Sequence, residues 1–141
     1  MFDVAKYILE KCGSMTHMKL QKLCYYAQAW SLVWDEKPIF DERIQAWANG
    51  PVVRHLYSSL RGEYGVEADK ILHGDASKLT GDQTDSVDVV LEFYAGRSSQ
   101  YLSDLTHMER PWMEARTGIQ AGERGEVEIT PAAMAEYYGS L

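Results

Sequence analysis

Residues 17–34 read HMKLQKLCYYAQAWSLVW. Leu20, Leu23, Ala27, Trp30 and Trp34 recur at spacings of three and four, which places them on one helical face. Met18, Tyr25, Ala29 and Leu32 widen that face until only a narrow stripe through His17, Gln21, Gln28 and Ser31 is polar. A helix apolar on nearly every side must be covered on nearly every side, so the pattern predicts a central helix rather than a surface one. The apolar run inside it, LCYYAQAWSLVW, is too short and too polar to span a membrane.

Working outward, Asp3 is placed to cap a first helix carrying Val4, Tyr7 and Ile8, with Gly13 as its stop. Ser14 and Thr16 are the caps available to the central helix, and Asp35 to Pro38 break it. Ile39-Phe40 and then the alternation of Ile44, Ala46 and Ala48 with Gln45, Trp47 and Asn49 predict a short antiparallel hairpin or extended pair. Asn49-Gly50 is turn chemistry, and Pro51 reads as the first residue of a helix over about 51–61. Residues 62–79 read as a surface loop with at most a short strand near Lys70 to Leu72.

Thr80 and Gln83 form a capping box for a helix running to about Ala95. Ser98 or Ser99 opens another helix through His107, and Pro111 restarts a short one that ends near Arg116. Val127 to Ile129 read as extended. Thr130 then caps a last helix, with Ile129 and Met134 spaced as a hydrophobic staple. The expected fold is mainly α with a small antiparallel β hairpin, an α+β arrangement of about six to seven helices around residues 17–34. It is expected as one domain over residues 1–141.

The formal charge of −7 is unevenly spread, because residues 63–92 alone hold eight acidic and two basic side chains. No basic stripe of the kind that neutralises phosphates is present, so direct nucleic-acid binding is not expected. The acidic middle segment is a solvated face or a steering surface for a basic partner. Cys12 and Cys24 lie in apolar helical contexts and form no CxxC pair. With no signal peptide and no membrane span, a reduced, cytoplasmic protein is expected.

The chemistry-bearing stretch is LTHMERPWMEAR, residues 105–116. Its His107 and Glu109 match the start of the zinc deaminase signature, but that site needs two downstream cysteines and none follows position 24. HExxH, the GxSxG elbow and a phosphate-binding glycine loop are also missing, so no metal and no cofactor are expected. Asp104 and His107 are spaced i, i+3 and Glu109 lies within reach of Arg116, so a small enzyme using Asp104, His107 and Arg116 is one reading. The other is structural: His107 and Glu109 tie off a helix junction, Pro111 sets its angle, and Trp112 buries its ring.

Three segments together, KLQKLCYYAQAW (19–30), IQAWANGPVV (44–53) and LSDLTHMERPWMEAR (102–116), resemble the Panacea antitoxin domain, also described as the SocA-like antitoxin or phage-associated protein family. The resemblance spans nearly the whole chain in the right order. Trp47, Gly50 and Pro51 carry its second motif, and Thr106, His107, Glu109, Pro111, Trp112 and Arg116 its third. Cys24 stands where Leu is more usual.

The resemblance implies a mostly helical, non-enzymatic domain that neutralises a cognate toxin by direct protein binding. One relative is an adaptor that hands its toxin to a cytosolic ATP-dependent protease, so such a protease is a second implied partner and an adaptor role an alternative. Many members carry an additional DNA-binding domain, which is not expected within these residues. Since Trp, Tyr and Arg are the usual anchors of protein interfaces, Tyr26, Trp34, Arg54 and Tyr57 are the candidate partner-binding residues.

Overall fold

The computed structural model describes residues 1–141 and contains seven α-helices, two short 3-10 turns and five short strands. Helix α1 (Phe2–Cys12) leads into strand β1 (Met15–Thr16) and the long helix α2 (His17–Trp34). Strands β2 (Ile44–Trp47) and β3 (Gly50–Val53) form a hairpin, followed by the short helix α3 (Arg54–Ser59) and strand β4 (Gly65–Val66). Helices α4 (Gly81–Tyr94), α5 (Ser99–His107) and α6 (Arg110–Ala115) follow, then β5 (Glu128–Ile129) and α7 (Pro131–Gly139). The architecture is mainly α with small antiparallel sheets.

Helix α2 is the axis. Of its residues only Met18 and Trp34 are exposed, and the stretch from Leu20 to Ala29 is buried without interruption. Helices α1, α4, α5 and α7 and strand β3 all pack on it. One core of 27 buried residues runs from Val4 on α1 to Tyr138 on α7. The polar stripe expected on α2 does not face water. Gln21, Gln28 and Ser31 are buried, and so is Lys22.

A buried amide must find partners, and Gln28 finds three on the segment that follows α2. Its Oε1 accepts from the backbone N–H groups of Ile39 (2.9 Å) and Phe40 (3.3 Å), and its Nε2 donates to Phe40 O at 2.8 Å. Ile39 and Phe40 are therefore held in an extended segment by a side chain. They join no sheet.

Several local signals act as read. Thr16, Ser98 and Thr130 each accept from the backbone N–H three residues on, and Thr80 with Gln83 forms a reciprocal capping box. Others do not. Asp3 accepts from Asp75 N instead of capping its own helix. Pro51 does not open a helix, because Gly50–Val53 pairs antiparallel with Ile44–Trp47 and the helix begins only at Arg54. The sheet order β3-β2-β5 makes β3 an edge, where a proline without an N–H is tolerated. No strand forms at Lys70 to Leu72; the paired segment is β4, which joins β1.

Gln28→Ala removes the acceptor of two buried N–H groups and the donor to a carbonyl. The expected cost is about 2–4 kcal/mol in urea unfolding, whereas Glu36→Ala on the exposed turn should stay within about 0.5 kcal/mol.

Candidate functional site

The segment 102–116 lies against the hairpin and holds it by its backbone. Trp112 Nε1 donates to Trp47 O (2.8 Å), Arg116 Nη1 to Ala46 O (3.0 Å) and Ser103 Oγ to Asn49 O (2.6 Å). Arg116 Nη2 reaches Gln120 O at 3.2 Å and also Glu123 O, so one buried guanidinium ties strand β2 to the loop that follows α6. The planar fork suits this work, since all its hydrogen bonds go to carbonyl oxygens spread around its edge.

Glu109 is buried at the α5–α6 junction. Its Oε1 accepts from the hydroxyls of Tyr26 (2.7 Å) and Tyr138 (2.8 Å). Since Tyr138 gives its proton to Glu109, the 3.0 Å contact between Tyr25 and Tyr138 has Tyr25 as donor. Burial raises the Glu109 carboxyl above its usual range, against the lowering effect of the two phenol bonds. Glu109 and Arg116 do not pair. Their charges are satisfied separately, by phenols and by carbonyls.

His107 is half-buried and stacks on Trp112, with ring centroids 4.0 Å apart and 15° between planes. Asp104 is exposed, its carboxylate accepts from Gln100 at 2.9 Å, and it makes no hydrogen bond to His107. Burial lowers the imidazole's pKa, and Asp104 acts on it only as a nearby charge. The acid–base trio of Asp104, His107 and Arg116 is thus not assembled: Arg116 points its fork at backbone carbonyls.

Lys22 lies at the meeting point of the three motif segments. It is completely buried, and its Nζ has no hydrogen-bond acceptor among the protein atoms. A Cβ placed on Gly50 would lie 2.5 Å from Lys22 Cε and 3.1 Å from Thr106 Oγ1, and Gly50 holds φ +125°, so no other residue fits there. Desolvation brings the Lys22 amine down to about 7.

On the other side of the hairpin is a cleft of about 510 Å³, lined by the start of α2, the hairpin, α3 and residues 122–126. Its floor is aromatic. Tyr57 stacks on His17 (5.4 Å, 27°) and meets Trp47 edge-on at 4.8 Å. Gln21 fixes this floor: Oε1 accepts from Val53 N at 2.9 Å, which turns Nε2 toward His17 Nε2 at 3.0 Å. His17 Nε2 is then the acceptor and its ring neutral, in keeping with a pKa lowered first by burial and, when Lys22 carries its proton, by that nearby charge. The rim carries Arg54, Arg61 and Arg124 with Glu126 among them.

Of the four residues expected to meet a partner, Arg54 and Tyr57 come together in this cleft. Trp34 is 42% exposed at the far end of α2, stacked on Trp30 and about 25 Å along the helix axis. Tyr26 is enclosed, bonded to Glu109 and stacked on Tyr94 at 4.0 Å. Arg61 and Arg124, 63 positions apart in sequence, carried no signal that they share a rim. No group of three or more His, Cys, Asp or Glu residues is arranged to hold a metal, and no helix is long and apolar enough to cross a membrane.

Comparison with known proteins adds one match: the family described as Antitoxin SocA-like, Panacea domain matches residues 20–113, two-thirds of the chain. No curated protein and no solved structure matches the chain.

Lys22 makes stability depend on pH with a definite sign. The unfolded amine keeps its proton up to about pH 10.5, whereas the folded one gives it up above about 7. Folding therefore releases a proton in that window, and stability falls as pH drops from 10 toward 7 by up to about 1.4 kcal/mol per unit. Lys22→Met should be more stable than wild type at pH 7 by roughly 2–4 kcal/mol, and the gap should narrow steadily in urea titrations up to pH 9.5. A gap independent of pH would refute the neutral-amine assignment.

Proposed function

The chain belongs to the SocA-like, Panacea-domain antitoxin family, and from that premise we propose that it is an antitoxin that neutralises a cognate toxin by direct binding. It acts as one domain over residues 1–141, in the cytoplasm, with no chemistry of its own. The family match is the observation that carries this reading. The geometry supports it: three titratable residues of the third motif, His107, Glu109 and Arg116, are committed to holding the fold together. Glu109 is held by two phenols, Arg116 by carbonyls, and His107 by an indole.

The test is co-expression with the protein encoded by the adjacent gene. That neighbour alone should arrest growth, co-expression should restore it, and the two proteins should co-purify in stoichiometric amounts. A neighbour that is harmless by itself sinks the reading. If the neighbour is instead rapidly degraded whenever this chain is present, the adaptor role replaces simple neutralisation.

His107→Ala separates structure from chemistry. Losing the ring stacked on Trp112 should cost about 1–2 kcal/mol and weaken neutralisation only in proportion to the folded fraction. A variant with wild-type stability and no neutralisation would restore a direct role for the imidazole.

A further inference from the structure

The cleft beside the hairpin is built differently from the rest of the surface. The chain carries −7 overall, yet three arginines and one glutamate meet at this rim. Arg54 Nη1 and Arg124 Nη2 both reach for Glu126, at 3.6 and 3.5 Å to its two oxygens. Arg61 has no acidic side chain within 4.0 Å, because none of the ion pairs includes it. One carboxylate is thus shared by two guanidinium groups while a third is left over. Each guanidinium takes a carboxylate in a fork of parallel hydrogen bonds, so the rim has capacity for further carboxylates.

The rim and floor are ordered from beneath. Arg54, Tyr57, Ser58 and Arg61 fall at i, i+3, i+4 and i+7 on and just beyond α3, which turns all four toward the same cleft. His17 and Gln21 lock Tyr57 and the end of the hairpin from below. The opposite rim, residues 122–126, is tethered by Arg116 through Gln120 and Glu123. Rigid aromatic rings flanked by arginines are the side chains that dominate protein interfaces, since they bury area and pair charge at low entropic cost. The volume also falls in the range of about 300–1,000 Å³ common to ligand-sized sites.

We propose that this cleft is the docking site for an acidic, extended segment of the partner protein, whose carboxylates engage Arg54, Arg61 and Arg124 and whose chain lies over Trp47 and Tyr57. The occupant's charge follows from the rim. A nucleic acid is disfavoured because a polyanion would need a continuous basic track, whereas this patch is short, contains Glu126 and sits on an acidic molecule. A protein segment brings its carboxylates to one place and leaves the repulsive remainder of the surface uncontacted. The proposal rests on the antitoxin reading for the partner's identity but not for the cleft's chemistry.

Two experiments test the two parts separately. In the first, the full chain is titrated with capped hexaglutamate and followed by amide NMR shifts. Shifts should be confined to residues near 47–61 and 122–126, and affinity should drop about tenfold on raising salt from about 0.05 to 0.3 M. They should vanish in folded Arg54→Glu/Arg61→Glu. The absence of cleft shifts, equal shifts with capped hexaglutamine, or tighter binding of a thymidine hexanucleotide would each overturn the proposal, the last in favour of a nucleic acid.

In the second, the same double variant is co-expressed with the toxin. Growth rescue should fall at least about tenfold relative to wild type, the size expected when charged contacts at an interface are reversed. Lys37→Glu, beyond the far end of α2, should rescue normally. If the double variant rescues as well as wild type, the cleft is not the docking site and the antitoxin reading stands. If wild type itself fails to rescue, that reading falls, and the peptide titration still decides the cleft.

Discussion

The structure depends on one constraint: α2 is enclosed on all sides while carrying Gln21, Lys22, Gln28 and two tyrosine hydroxyls into the interior. An apolar helix could be wrapped by any apolar surface. At Gln21, Gln28 and Tyr26 it accepts only surfaces that present a backbone amide or a carboxylate at the right height, because a buried polar group without a partner costs about 1–3 kcal/mol. Gln21 selects Val53, Gln28 selects Ile39 and Phe40, and Tyr26 selects Glu109. The order in which segments pack around α2 is thus written in its polar residues, while the apolar ones supply most of the free energy of burial.

The same constraint explains why three separate motifs behave as one unit. The first supplies the amides and phenols on α2. The second supplies a hairpin whose Gly50 leaves room for the Lys22 stem. The third clamps that hairpin through three carbonyls and returns Glu109 to the tyrosines. Arg116 and Lys22 show two ways of burying a cation. The guanidinium is ringed by carbonyls that accept from its fork. The amine, with no acceptor beside it, is pushed toward its neutral form.

What was legible in the sequence was mostly local. The caps at Thr16, Thr80, Ser98 and Thr130 depend on residues three apart, and the all-round apolar character of residues 17–34 needs no knowledge of what covers it. The missed features depend on partners far along the chain. Asn49-Gly50-Pro51 has the composition of a helix start, and only pairing with Ile44 to Trp47 makes it an edge strand. Asp3 is a good local cap that a distant N–H, that of Asp75, outcompetes. Lys22 reads as a surface residue by type. Its burial follows from the three segments that close over it. Among the candidate contact residues, Tyr26 shows how an interface-prone side chain is equally a core one, and Arg61 and Arg124 show that a charged site assembled across the fold has no linear signature.

Core and cleft differ in how much substitution they tolerate. Each interior polar residue is locked to a particular backbone group, so changing it leaves an unpaired partner behind. Arg54, Arg61 and Arg124 bond no interior group, and exposed ion pairs such as Arg54–Glu126 contribute at most about 1 kcal/mol. The rim's charge pattern can therefore be rewritten with little effect on folding, while Arg116 keeps the loop that carries half of it in place. The clamp on the hairpin and the proposed docking rim are joined through a single guanidinium. Under the docking proposal, partner choice is set by side chains that the fold does not need.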